Sequence, residues 1–322
     1  MSSSLLTCND LHVGFTLENE FVEAVRGVTF SIDEQATLGI VGESGCGKSM
    51  TALALMRLVP EPPGKISGGR IRFRETDLLA LPPQQIRMIR GKEISMIFQD
   101  PMTSLNPVYT CRHQIKEVIL QHGITPVDQA DGLIESILAE VGIPEPKRTA
   151  DSYPHQLSGG MRQRVMIAMA LVGNPALLIA DEPTTALDVT VQSKILDLLL
   201  DLQEKKRMSM LLITHNLGIV GDIAHDVMVM YAGMVMEYAP STVLFDEPLH
   251  PYTVNLLETL PGIDTRKERL TIIPGEVPTL RNIPSGCPFH PRCSRSMPRC
   301  AIDSPPLLDR GNSHTVRCLL YE

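Results

Sequence analysis

The sequence predicts an α/β fold with a parallel sheet at its centre, and three observations lead there. Leu38-Gly39-Ile40-Val41 reads as a fully buried strand that runs straight into a glycine-rich turn. Two further short apolar runs, Leu177-Leu178-Ile179-Ala180 and Met210-Leu211-Leu212-Ile213-Thr214, follow the turn signals Asn174-Pro175 and Glu204-Lys205-Lys206-Arg207. Helix-length segments separate the three runs, and strands that alternate with helices belong to a parallel sheet covered on both faces.

The remaining elements follow in chain order. Leu11, Val13 and Phe15, then Val25, Val28, Phe30 and Ile32, alternate with polar residues as half-buried antiparallel strands do. Between 112 and 142 the period becomes helical: Ile115, Val118 and Ile119 share one face, as do Leu133, Ile134, Ile137, Leu138 and Val141, which predicts a helical subdomain. Residues 227–231 and 234–238 flank Ala232-Gly233 like a two-residue hairpin. Beyond 240 prolines thicken, and the chain reads as an extension of loops and short elements with little core of its own.

With 322 residues, 43% apolar and 20% charged, the composition is globular and long enough for about two domains. A net charge of −8 argues against a surface given over to nucleic acid, because phosphate neutralisation needs clustered Lys and Arg. The first fifteen residues lack the basic flank and apolar run of a signal peptide, and no membrane-length apolar run follows, so the chain reads as cytosolic. Seven cysteines stand at 8, 46, 111, 287, 293, 300 and 318. An odd number in a reducing compartment, four of them crowded near the end, argues for a metal or cluster site and against a disulfide framework.

Gly42-Glu43-Ser44-Gly45-Cys46-Gly47-Lys48-Ser49 fits the phosphate-loop pattern G-x-x-x-x-G-K-S/T, after a buried strand and before the helical run that opens with Met50. Glycines let backbone N–H groups close around phosphate oxygens, and the helix N-terminus adds its positive end. Lys48 reaches the β and γ phosphates in this reading, and the Ser49 hydroxyl ligates Mg²⁺. Asp181 and Glu182 end the second buried strand, the first to hold Mg²⁺ and the second to polarise an attacking water. Leu157-Ser158-Gly159-Gly160-Met161 opens a helix and offers a second anion nest, and His215 follows the third strand within reach of a γ-phosphate. Cys46 is either a small spacer or, beside Lys48 and a helix N-terminus, a reactive thiol of lowered pKa.

In this order the residues resemble the nucleotide-binding subunits of ATP-binding cassette (ABC) transporters. Residues 42–49 look like that family's Walker A, 177–182 its Walker B and catalytic glutamate, and 157–161 its LSGGQ signature with Met161 for Gln. Gln99 in Phe98-Gln99-Asp100 matches the Q-loop, Ala186-Leu187-Asp188 the D-loop and His215 the switch histidine. The oligopeptide/dipeptide importer branch is closer still, through residues 99–107, His250-Pro251-Tyr252-Thr253 and Gly286-Cys287-Pro288-Phe289-His290-Pro291-Arg292-Cys293. Asp33-Glu34-Gln35-Ala36 departs from the family's Gly-Glu turn, and Phe15 and Phe21 compete as its adenine-stacking aromatic.

The resemblance implies an ABC-type P-loop ATPase domain over residues 1–240, with a RecA-like core, an antiparallel β subdomain and a helical subdomain at about 100–165. A small Cys-rich extension would occupy 241–322. ATP and Mg²⁺ would be held by residues 42 and 44–50 with Gln99 and Asp181, and across a head-to-tail dimer by Ser158, Gly159 and Gly160 of the second copy. Glu182, His215 and Gln99 would serve hydrolysis. Implied partners are a second ATPase subunit, identical or paralogous, two transmembrane permeases docked on residues 99–142 and an extracytoplasmic peptide-binding protein, with no nucleic acid. The place implied is the cytoplasmic face of the cell membrane.

Two other classes compete. A soluble ABC ATPase acting on DNA or ribosomes would carry a long coiled coil or a second cassette, whereas here Asp181 lies 133 positions after Lys48 with no sustained heptads between them, and one Walker A is present. A P-loop small-molecule kinase leaves residues 158–161 and His215 without a role. Within the importer reading, nickel or another small solute stands beside peptides, because ATPase subunits do not touch the solute. The resemblance also implies a 4Fe-4S cluster on Cys287, Cys293, Cys300 and Cys318. Their spacings of five, six and seventeen residues fit neither common zinc pairs nor ferredoxin runs. A zinc site that draws on His290 or His314, and free thiols, are the alternatives. A cluster here is expected to staple the extension, far from the phosphates.

Overall fold

The computed structural model describes residues 4–100, 104–184, 188–260 and 273–322. It divides into two compact units, one formed by residues 1–79 and 212–322, the other by residues 80–211.

In the first unit, β1 (Ser4–Leu17) and β2 (Glu20–Asp33) pair antiparallel from Ser4 opposite Asp33 to Leu17 opposite Glu20. Glu18 and Asn19 join them, both at positive φ, the two-residue geometry that matches strand twist. With β4 (Gly64–Phe73) and β5 (Thr76–Asp77) they form a sheet of order β2-β1-β4-β5. Of the alternating residues read in the sequence, Leu11, Val13, Val25, Val28, Phe30 and Ile32 are buried, and Phe15 is half-buried. The Asp33-to-Ala36 turn closes with Gln35 at φ 60, where a glycine would be unstrained.

In β3 (Thr37–Val41) every residue is buried, and it runs parallel to β9 (Asp226–Tyr231), Leu38 opposite Asp226. It delivers the chain to the phosphate loop and to α1 (Lys48–Leu55). The expected hairpin joins β9 to β10 (Met234–Pro240), and Ala232 and Gly233, at φ 46 and 81, make its turn type I′. Around it stand the helices α8 (Leu217–Ile223), α9 (Ser241–Asp246) and α10 (Pro251–Glu258).

Residues 273–322 pack onto the sheet edge and helices of the first unit. β11 (Leu308–Asp309) and β12 (Thr315–Val316) add onto β10, with Val316 opposite Glu237. Phe289, Cys287, Cys300 and Leu319 join one buried cluster with Val41, Val229, Tyr231, Met236 and Tyr252. Tyr231, Tyr252 and Phe289 form a ring triad with centroids 4.8 to 5.3 Å apart. Frequent prolines predict little core, yet short elements bury large side chains when a sheet edge receives them.

In the second unit, β6 (Ile94–Ile97) and β7 (Leu177–Asp181) are parallel neighbours, Ile97 opposite Ala180. After α2 (Pro83–Ile89), helices α3 (Cys111–His122), α4 (Ala130–Glu140), α5 (Pro146–Ala150), α6 (Gly159–Leu171) and α7 (Val189–Lys206) supply its core. The stripes seen in the sequence meet there: Ile115 and Ile119 of α3 pack with Ile134, Ile137 and Leu138 of α4 and Val165 of α6. Thr110 caps α3, and Gly123 at φ 58 ends it. Within β8 (Ser209–Thr214) the chain passes from this unit to the first.

Candidate nucleotide site

Gly42, Gly45 and Gly47 take φ 153, 80 and 104, so the loop turns where side chains are strained. A Cβ on Gly47 would stand 2.7 Å from Ala24 O, and one on Gly42 would strike Met230 O and Cys46 Sγ. Lys48 is 5% exposed and donates from Nζ to Gly42 O at 2.7 Å and Glu43 O at 3.1 Å, which draws the loop into a ring around its ammonium. Ser44 and Gly45 are exposed at its rim, while Ser49 and Met50 are half-buried in the first turn of α1. A loop of this form offers N–H groups and one cation to an anion.

Cys46 is fully buried, and desolvation pushes its thiol pKa up although Lys48 pulls it down. Of the two readings of Cys46, the buried, raised thiol fits the small spacer and not the reactive thiol, because burial outweighs the neighbouring charge.

In the second unit Asp181, 4% exposed, ends β7, and Glu182 follows at φ 46. Gln99, two residues past β6, donates from Nε2 to Glu182 Oε2 at 3.0 Å. Ser158 caps α6 by accepting from the Met161 N–H at 3.3 Å, with Gly159 exposed and Gly160 half-buried beside Val191. Asp188 caps α7 through the Val191 N–H. Pro101, Met102, Thr103, Ala186 and Leu187 of the recognised runs lie outside the described residues. In the first unit His215 is exposed just past β8, and Phe21 is 45% exposed where Phe15 is half-buried.

The sequence pointed to the Cys-rich run but not to its contact with the loop. Arg292, beside Cys293, places Nη1 2.7 Å from Glu43 Oε2 and Nη2 3.0 Å from Glu43 Oε1. The Glu43 N–H donates to Tyr252 Oη at 2.9 Å. The segment is thus in direct contact with the phosphate loop through Arg292. Nothing in the spacing of residues 250–253 and 286–293 names Glu43 as their partner.

Cys287, Cys300 and Cys318 are buried and Cys293 half-buried. Burial raises the Cys287 thiol to about 11, and the charges of the other three cysteines add to that rise, so the four share one neighbourhood. Among the described residues no group of three or more His, Cys, Asp or Glu is arranged to hold a metal ion as it stands. His290 Nδ1 is engaged with Cys287 O at 2.9 Å and His314 Nε2 with Glu237 at 2.8 Å.

A family model described as ABC transporter matches residues 25–185, and one described as oligopeptide/dipeptide transporter, C-terminal region, matches residues 236–300. The chain is 49% identical over 320 residues to the oligopeptide transport ATP-binding protein AppD of Bacillus subtilis (strain 168), covering 99% of this chain and 98% of that protein. It is 48% identical over 318 residues to the dipeptide transport ATP-binding protein DppD of the same organism, covering 99% and 95%. The ATP-binding cassette MJ0796, solved as a dimer in a post-hydrolysis state with ADP and Pi, is 26% identical with a TM-score of 0.65 over 73% of this chain and 98% of that one. The buried strand, glycine loop and carboxylate pair thus belong to a chain of the ABC transporter family, an ATP-binding subunit with the oligopeptide/dipeptide transporter C-terminal region.

Proposed function

We propose that the chain is the ATPase that powers peptide import through a membrane complex. The observation that carries this is a buried Lys48 ringed by loop carbonyls in a chain whose Gln99 and Glu182 are hydrogen bonded. In this reading the loop N–H groups and Lys48 hold the β and γ phosphates, and Ser49, Gln99 and Asp181 hold Mg²⁺. Mg²⁺, when bound, neutralises charge on the phosphates. Glu182 takes the proton of the attacking water, and the Gln99 amide fixes the carboxylate that does so. His215 donates to the γ-phosphate.

Ser158, Gly159 and Gly160 serve the nucleotide of a second subunit, so ATP closes a head-to-tail dimer and hydrolysis reopens it. That the similar MJ0796 cassette is a dimer supports the pairing of two subunits. Residues 99–142 dock two permeases at the cytoplasmic face of the membrane, and an extracytoplasmic protein delivers the peptide. Among the described residues no helix is long and apolar enough to cross a membrane. The test is reconstitution with the permeases in proteoliposomes: peptide added with its binding protein should raise ATP hydrolysis, and no response to any di- or oligopeptide would contradict the substrate class.

The four terminal cysteines suit a 4Fe-4S cluster, whose iron–sulfur bonds would tie residues 287 and 318 together. Four thiols in one neighbourhood match in number the full ligand set of such a cluster, which is what supports the reading. Anaerobic purification should give about four irons and four sulfides per chain. Colourless protein with stoichiometric zinc would contradict it.

A further inference from the structure

We propose that Arg292 and Tyr252 are positioning residues for the phosphate loop, so that the C-terminal segment sets the affinity for nucleotide. The inference rests on the reading of residues 42–49 as the nucleotide site and adds a control that this reading does not contain.

Glu43 is the first variable residue of the phosphate-loop pattern, which asks for no particular side chain there. Here it is held at three points. Its carboxylate, 27% exposed, receives both Nη groups of Arg292, the two-pronged geometry that fixes direction as well as distance. Its N–H donates to the fully buried Tyr252 hydroxyl, and its C=O accepts from Lys48 Nζ at 3.1 Å. A path of three groups therefore runs from Arg292 through Glu43 to the lysine.

Arg292 has no slack of its own. Its side chain is 5% exposed, Nε donates to Pro274 O at 2.8 Å, and Nη1 also reaches Tyr231 Oη at 3.3 Å. The guanidinium lies 5.8 Å from the Tyr231 ring centroid and 5.9 Å from that of Phe289. Burying a guanidinium is costly unless each donor is met, and replacing such a pair by apolar groups is often neutral for stability. What an apolar pair cannot do is hold a loop in one direction. Glu43 stands one residue after Gly42, whose positive φ leaves the backbone little preference, so the loop's path depends on what grips its next residue.

A residue that pre-shapes a ground-state site acts on binding more than on turnover. The test uses the full chain and titration of a fluorescent ATP analogue with Mg²⁺, with Lys48→Ala as the control for site occupancy. Arg292→Met and Glu43→Gln should each raise Kd about tenfold, the weight of a charge-assisted hydrogen bond, and the double variant no further than either. Arg292→Lys keeps the charge but not the fork, and should recover thermal stability without recovering Kd. Tyr252→Phe deletes one oxygen and keeps the ring; it should raise Kd a few-fold, and it carries the test with Glu43→Gln should Arg292→Met fail to fold.

If Lys48→Ala abolishes binding while Glu43→Gln and Tyr252→Phe bind as the parent does, the positioning role is overturned and the nucleotide site stands. Additive losses in the double variant would equally overturn it. If the parent's binding does not depend on Lys48, the nucleotide reading itself falls, and the inference with it.

Discussion

Gln99 and Glu182 share one hydrogen bond, 3.0 Å from amide to carboxylate, although 83 positions separate them in the chain. The sheet accounts for the meeting. Ile97 of β6 and Ala180 of β7 are opposite each other in parallel strands, so the residues two beyond each emerge at the same end. Glu182 leaves the strand at φ 46, an unfavourable conformation for a residue with a Cβ. Gln99→Ala should lower the rate of ATP hydrolysis about tenfold with a smaller change in KM, because the carboxylate loses the donor that aims it. Steady-state kinetics of the assembled complex check this.

Gly47 sits at φ 104, with Ala24 O 2.7 Å from where a Cβ would stand. Gly47→Ala should destabilise the fold by about 1–3 kcal/mol and abolish nucleotide binding. Urea denaturation beside nucleotide titration separates the two effects.

Cys46 should resist modification. Its thiol is buried and its pKa raised, so maleimide should label it slowly in the folded chain and rapidly after denaturation. Peptide mapping after short exposures measures the ratio.

Acid should weaken the fold through His250. Burial lowers its pKa to about 4, and Nδ1 accepts from the Tyr252 N–H, which requires the neutral ring. Glu237 opposes the shift, and it also bonds the Leu249 and His250 N–H groups and His314. An unfolded histidine, near 6.5, takes up a proton that the folded one refuses. The contribution to stability is therefore complete above about pH 6.5 and is lost as pH falls toward 4. Denaturation midpoints at pH 7 and pH 5 should differ less in His250→Asn, which keeps an N-cap without the titration.

Much of this architecture was legible. The phosphate loop, the β9–β10 hairpin and the stripes of α3 and α4 are local patterns, and local patterns are what periodicity and turn chemistry encode. The grip on Glu43 was not, because Arg292 lies 249 residues away and arrives through the pairing of β12 with β10 and the packing of Phe289. The direction of Cys46 was hidden for a related reason: spacing puts it beside Lys48, and only the turn at Gly42 decides that its sulfur faces inward. The four cysteines crowd the end of the sequence, while their proximity in space depends on the short elements between them.

The central claim is that Glu182 acts on the attacking water and Lys48 on the bound phosphates. Its most direct test is ATP binding and hydrolysis measured side by side in the complex carrying Glu182→Gln. The expected result is retained MgATP binding, accumulation of the ATP-closed dimer and a loss of turnover of about 100-fold or more. Turnover at the parent rate in that variant would contradict it.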